Sequence, residues 1–117
     1  MAELIKGEYT DVEFHNAAAT TGTGKRFEVK SYKTLTVEIY GSDDNTARTV
    51  TFYGVGPSKV SRALAGTNIT AAPLAEAVST TGTGELWQFN ITGLNEVIME
   101  LTAITGGTVT AKGRAVT

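Results

Sequence analysis

The sequence predicts an all-β chain folded as a single β-sandwich, immunoglobulin-like or jelly-roll-like, and three observations carry that expectation. Short runs alternate apolar and polar residues at period two, the spacing of a strand with one buried face. Turn residues (Gly, Asn and Asp) separate these runs. The pentapeptide TTGTG occurs twice, at residues 20–24 and 80–84, and each copy opens a stretch that matches the other in further blocks. At 117 residues the chain fits one domain, residues 1–117, and can bury a core without staples.

In chain order, residues 1–12 read as an edge strand of the sandwich or as an extended N-terminal arm. GEYTDVEF (7–14) has Tyr9, Val12 and Phe14 as its apolar members, and HNAAAT then reads as a turn. The first repeat copy spans about residues 20–56. After TTGTG, Phe27 and Val29 stand two apart, as do Trp87 and Phe89 after the second TTGTG. In TLTVEIY (34–40), Leu35, Val37 and Ile39 face one way, and Thr34, Thr36, Glu38 and Tyr40 the other. GSDDNT (41–46) reads as a hairpin loop, leading to a third strand, TVTFYG (49–54), that buries either Val50 and Phe52 or their opposites.

The linking segment, residues 57–79, reads as strand and loop, because Gly66 and Pro73 cut short its brief helical spacing. ALAGTNITAAPLA within it reads as an exposed connection. The second copy spans about residues 80–115. Matching Val37-Glu38-Ile39 to Met99-Glu100-Leu101 puts Val97, Met99 and Leu101 inward and Ile98 outward. TGG (105–107) reads as the second hairpin turn, and TVTAKGRAV (108–116) as the closing strand with Val109 inward. Two three-strand units packed face to face would form the sandwich, with the TTGTG turns related by an approximate two-fold.

Composition excludes several kinds of function. With no cysteine there is no disulfide, thiolate nucleophile or cysteine metal site. The 10 basic and 12 acidic residues are scattered, with no basic patch for nucleic acid. Apolar runs of four or five residues fall far short of the roughly 20 that cross a bilayer. The N-terminus, with its acids and no apolar stretch, does not read as a signal peptide.

No candidate chemistry assembles. His15 is the lone histidine; Glu13, on the same predicted face, would give two ligands against the three or four of ordinary zinc sites, so a surface or turn residue is expected. Asp43, Asp44 and Asn45 lack the twelve-residue spacing of a calcium loop and read as a turn. Glu38 and Glu100, at matched outward positions, would need a cleft between them to act as a glycosidase pair. No Lys-Ser/Thr follows either TTGTG, so neither reads as a phosphate loop. Trp87, matched to Phe27, reads as core. Tyr40, Tyr53 and Ile98 read as outward residues for contact with another subunit or a glycan. The expectation is a chain without catalysis or cofactor.

YKTLTVEIYG…TVTFYG and WQFNITGLNEVIMELTAITGGTVTAKGRAV resemble small virion structural proteins of tailed bacteriophages, over residues 16–116. Gly93-Leu94, Val97, Ala103, Thr108-Val109-Thr110 and Gly113 carry the second motif. The resemblance lapses at GPSKVSRALAGTN, where such proteins carry an Asp-Gly-x-x-Trp block. It implies a particle component made in the host cytoplasm and placed on the virion surface. Its expected role is capsid decoration or cement, bound to the major capsid protein or another virion protein. Homo-oligomers, a trimer foremost, suit a symmetric shell. The alternatives are a tail or baseplate accessory protein and a carbohydrate-binding adhesion module.

Overall fold

The structure is a computed structural model that describes residues 7–117. Its regular structure there is entirely β, in two antiparallel sheets facing each other as a sandwich. The first sheet holds β1 (Tyr9–Ala18), β3 (Thr34–Gly41), β6 (Gly66–Asn68), β7 (Ala75–Ala77), β9 (Glu85–Asn90) and β11 (Val109–Val116), in the order β1-β11-β3-β9-β6-β7. The second holds β2 (Phe27–Glu28), β4 (Ala47–Val55), β5 (Ser61–Ala63) and β10 (Glu96–Thr105), in the order β2-β10-β4-β5, with β8 (Ser79–Thr80) also paired to β4.

The core forms where the alternation places it. Leu35, Val37 and Ile39 of β3 are fully buried, as are Val50 and Phe52 of β4 and Val97, Met99 and Leu101 of β10. Phe52 lies between Trp87 and Phe89, with ring centroids 5.0 and 4.9 Å away. This edge-to-face and tilted packing suits the aromatic quadrupole. Val12 and Phe14 point into the core from β1, while Tyr9 stays exposed.

The repeat is present, but its units are not separate sheets. Successive strands of each copy alternate between the two sheets: β2, β3 and β4 in the second, first and second; β9, β10 and β11 in the first, second and first. Each copy's middle strand lies between the other copy's outer strands, β3 between β11 and β9, and β10 between β4 and β2. The loops expected as hairpins are therefore arches that cross between sheets. The two arches lie against each other: Thr46 N–H donates to Thr105 O at 3.0 Å, and Ser42 N–H to Thr108 O at 2.8 Å. The Asn45 amide, buried between them, donates to the carbonyls of Ala47, Thr105 and Gly106 at 3.0, 3.2 and 2.8 Å. A Cβ at Gly107 (φ +52°) would fall 2.3 Å from Ser42 Oγ and 2.7 Å from Asn45 N, so the second arch needs glycine there.

The pairing register also corrects the match between copies. Val37 stands between Gly113 and Trp87, and Val97 between Gly54 and Phe27. Val37-Glu38-Ile39 thus corresponds to Val97-Ile98-Met99, two residues from the match the shared Glu suggests. A slip of two keeps every side chain on its own face, so alternation cannot detect it. Glu38 and Glu100 are consequently not equivalent.

The duplication extends further than three strands. β1 flanks β11 continuously, with a register shift opposite Ala111, while β5 and β8 together flank β4. Opposite Phe52, the counterpart of Ala111, the chain leaves and returns: Leu64 N–H donates to Phe52 O at 3.0 Å and Phe52 N–H to Val78 O at 2.9 Å. One copy has a bulge where the other has residues 64–78 inserted, and that insert supplies β6 and β7. ALAGTNITAAPLA is therefore partly strand, with Gly66 and Asn68 buried, and is not a wholly exposed connection.

His15 departs from expectation as well. The register shift between Glu13 and His15 puts Glu13 outside and His15 inside, 6% exposed, where its Nε2 donates to Met99 O at 2.5 Å. It is a buried strand residue that ties β1 to β10. The arm reading ends at Tyr9, where β1 begins as the first sheet's edge strand; residues 1–6 lie outside the described residues.

Candidate functional site

Three surfaces are available for contact. On the outer face of the first sheet, cross-strand neighbours form rungs: Asp11, Arg114, Thr36 and Gln88, then Glu13, Lys112, Glu38 and Leu86. All of these but Gln88 line an open depression of about 710 Å³. Arg114 donates to both Asp11 oxygens, at 2.7 and 3.2 Å, and its guanidinium lies 4.5 Å from the centre of the Tyr9 ring. These hydrogen bonds, with the adjacent positive charge, hold the Asp11 carboxyl below its ordinary value. Tyr40 lies on this same face, half-buried.

The second sheet's outer face differs at equivalent positions. Ile98 occupies the place of Glu38, Tyr53 that of Lys112 and Ala63 that of Glu13. Ile98 does point away from the core, but it is only 3% exposed, with Tyr53 directly across from it. Its apolar surface is thus covered within the chain, whereas the contact expectation had treated it as available. Tyr53 is half-buried beside it. The structure brings Ile98 and Tyr53 together and leaves Tyr40 on the opposite face of the sandwich.

The third surface is the inserted edge. Ile69, Leu74 and Val78, joined by Leu86 of β9, expose large apolar side chains there, Leu74 at 65%. Ile69 N–H donates to Leu86 O at 2.9 Å, and β7 ends the sheet. The base of the insert is held by polar groups. Asn68 donates to Glu85 Oε2 at 3.0 Å, while Glu85 Oε1 accepts from the Trp87 indole at 3.1 Å and from the Thr80 hydroxyl. A carboxylate bonded by three donors pins the insert to the second TTGTG stretch. Sequence reasoning missed this edge. Its signal was three large apolar residues, Ile69, Leu74 and Val78, in a segment otherwise read as linker.

Among the described residues, no group of three His, Asp or Glu side chains is arranged to hold a metal. Asp43 and Asp44 lie exposed in the first arch, where Asp44 accepts a bond from Ser42 at 2.7 Å.

Fold and surface together define a duplicated β-sandwich that presents sheet faces and one apolar inserted edge for contact. The chain belongs to the XepA family, whose model matches residues 8–115. It is 41% identical over 104 residues to the SPbeta prophage-derived uncharacterized protein YomS of Bacillus subtilis (strain 168), covering 89% of this chain and 84% of YomS. It is 37% identical over 106 residues to the phage-like element PBSX protein XepA of the same strain. The uncharacterized protein YqxG, also of that strain, is 41% identical over 106 residues. The chain spans only 34% of YqxG and 37% of XepA. The crystal structure of YomS matches with a TM-score of 0.90 over 100% of both chains, at 37% identity. That of the PBSX exported protein XepA matches with 0.91 over 98% of this chain and 40% of that one, at 34% identity. The protein is phage-derived, and its sandwich is the fold of YomS and of part of XepA.

Proposed function

We propose that this protein is a non-enzymatic structural component of a phage element, acting by occupancy of a larger assembly. The observation that carries the proposal is the inserted edge. Only one of the two repeat copies carries residues 64–78, the insert is anchored through Glu85, and it exposes Ile69, Leu74 and Val78. Ile69 is a cross-strand neighbour of Leu86, and adjacent exposed apolar groups mark contact sites. The partner suggested by the resemblance is the head shell, through the major capsid protein, with several copies in a closed ring such as a trimer. Binding the intact shell and not its loosened form would stabilise it by mass action.

Particles from an induced lysate, banded by density, provide the test. The chain is expected to travel with heads, and Leu74→Glu with Ile69→Thr to release it while the isolated protein keeps its unfolding midpoint. Wild-type protein absent from every particle band would overturn the proposal. A second reading has its own support: the relative XepA is described as an exported protein, which suits a module acting outside the cell and free of particles. Accumulation in cleared medium before lysis would select that reading.

A further inference from the structure

We propose that two copies of the chain exchange halves, each sandwich then being built from residues 7–55 of one copy and 61–117 of the other. The proposal rests on the pairing pattern and is independent of the inserted edge. Among the described residues, every ladder made by the first four strands runs to the second half of the chain: β1 to β11, β2 to β10, β3 to β9 and β11, β4 to β5, β8 and β10. No two of the first four strands pair with each other. A second copy's second half offers the first half an identical set of partners, so exchange conserves the ladders, the core and the arches.

The only covalent link between the halves is the loop 56–60, whose Pro57, Ser58, Lys59 and Val60 are all exposed. In the closed chain it folds back so that Val55 pairs with Ser61, with Lys59 N–H donating to Gly56 O at 2.9 Å. This requires Lys59 at φ +64°, a left-handed conformation that a lysine adopts only at a cost. Opening the loop removes that strain and gives up one turn hydrogen bond. Extended, the six steps from Val55 to Ser61 reach roughly 20 Å, enough to join two neighbouring sandwiches. Closure within one chain is favoured when copies are dilute, and exchange when they refold crowded together.

A cysteine pair reads the connectivity directly, because the chain has no other cysteine. Glu38 and Lys112 are exposed register partners from opposite halves. Direct antiparallel neighbours lie within disulfide reach. E38C/K112C protein is refolded at high and low concentration, separated by size and oxidised. Expected is a dimer fraction that grows with refolding concentration and, on a non-reducing gel, runs at twice the 12.3 kDa chain mass. The monomer fraction closes its bond internally. Deleting Ser58 and Lys59 should enlarge the dimer fraction, and Lys59→Gly should shrink it. Dimers whose disulfides are all internal would mean association through outer surfaces and overturn the proposal. So would monomer alone at every concentration with the natural loop.

Discussion

Alanine at Gly24 and alanine at Gly84 are the same chemical change at the last residue of the two TTGTG stretches, and they should differ sharply in cost. Both glycines are left-handed, at φ +69° and +67°. That conformation costs an L-residue about 1–2 kcal/mol, partly offset by the lower entropy of the unfolded alanine chain. At Gly84 a new Cβ meets nothing within 4 Å, so the net loss should be about 1 kcal/mol. At Gly24 it would fall 2.3 Å from the Phe14 carbonyl oxygen and 2.6 Å from His15 Cε1. Neither neighbour yields readily: that carbonyl accepts from Lys25 N–H at 2.9 Å, and His15 is tied to Met99 O. Such overpacking adds about 1–3 kcal/mol. Urea unfolding followed by fluorescence of Trp87, the single tryptophan and a buried one, measures both variants. Gly24→Ala should have the lower midpoint by that margin at unchanged slope. Equal midpoints would refute the reasoning, since backbone strain would then be the whole cost at both turns.

Other substitutions probe the core, the arches and the charged face. Phe52→Ala removes the ring that Trp87 and Phe89 pack against and should cost about 3–5 kcal/mol by the same unfolding measurement. Asn45→Ala leaves the carbonyls of Ala47, Thr105 and Gly106 without their shared donor and should lower stability by about 1–3 kcal/mol, read as a fall in melting temperature. Asp11, its pKa depressed in the fold, should titrate below 3.8 by NMR, and Arg114→Ala should return it toward that value. Because the folded value is the lower one, the contribution of this exposed pair is complete above the ordinary carboxylate value and fades as pH falls through Asp11's own. Salt should weaken it.

Faces were legible in the sequence, while partners were not. Leu35, Val37 and Ile39 announce a half-buried strand because side chains alternate strictly, and Trp87 matched to Phe27 announces a core position. Nothing in TVTFYG or TVTAKG says which sheet the strand joins, because an arch and a hairpin use the same Gly, Asn and Asp turn residues. The shared Glu of Val37-Glu38-Ile39 and Met99-Glu100-Leu101 drew the match two residues off, where parity gives no warning. Ile98 illustrates the result: its outward direction follows from parity, but its burial depends on Tyr53, which only the β4–β10 register places across from it. His15 was misplaced because a bulge reverses the alternation that predicts sides. The inserted edge escaped because three-residue strands such as β6 and β7 are too short to show any period.

The reciprocal pairing of the two halves also sets when the chain can fold. As synthesis proceeds from the N-terminus, β1 through β4 emerge with no strand available to pair with. β1 must wait for β11, and Glu8 for Thr117, 109 residues later. Contacts that distant close large loops before they return any energy, which slows folding and prolongs the exposure of unpaired edges. Folding should therefore wait for β11, and a ribosome stalled before residue 109 should carry a nascent chain that remains open to protease.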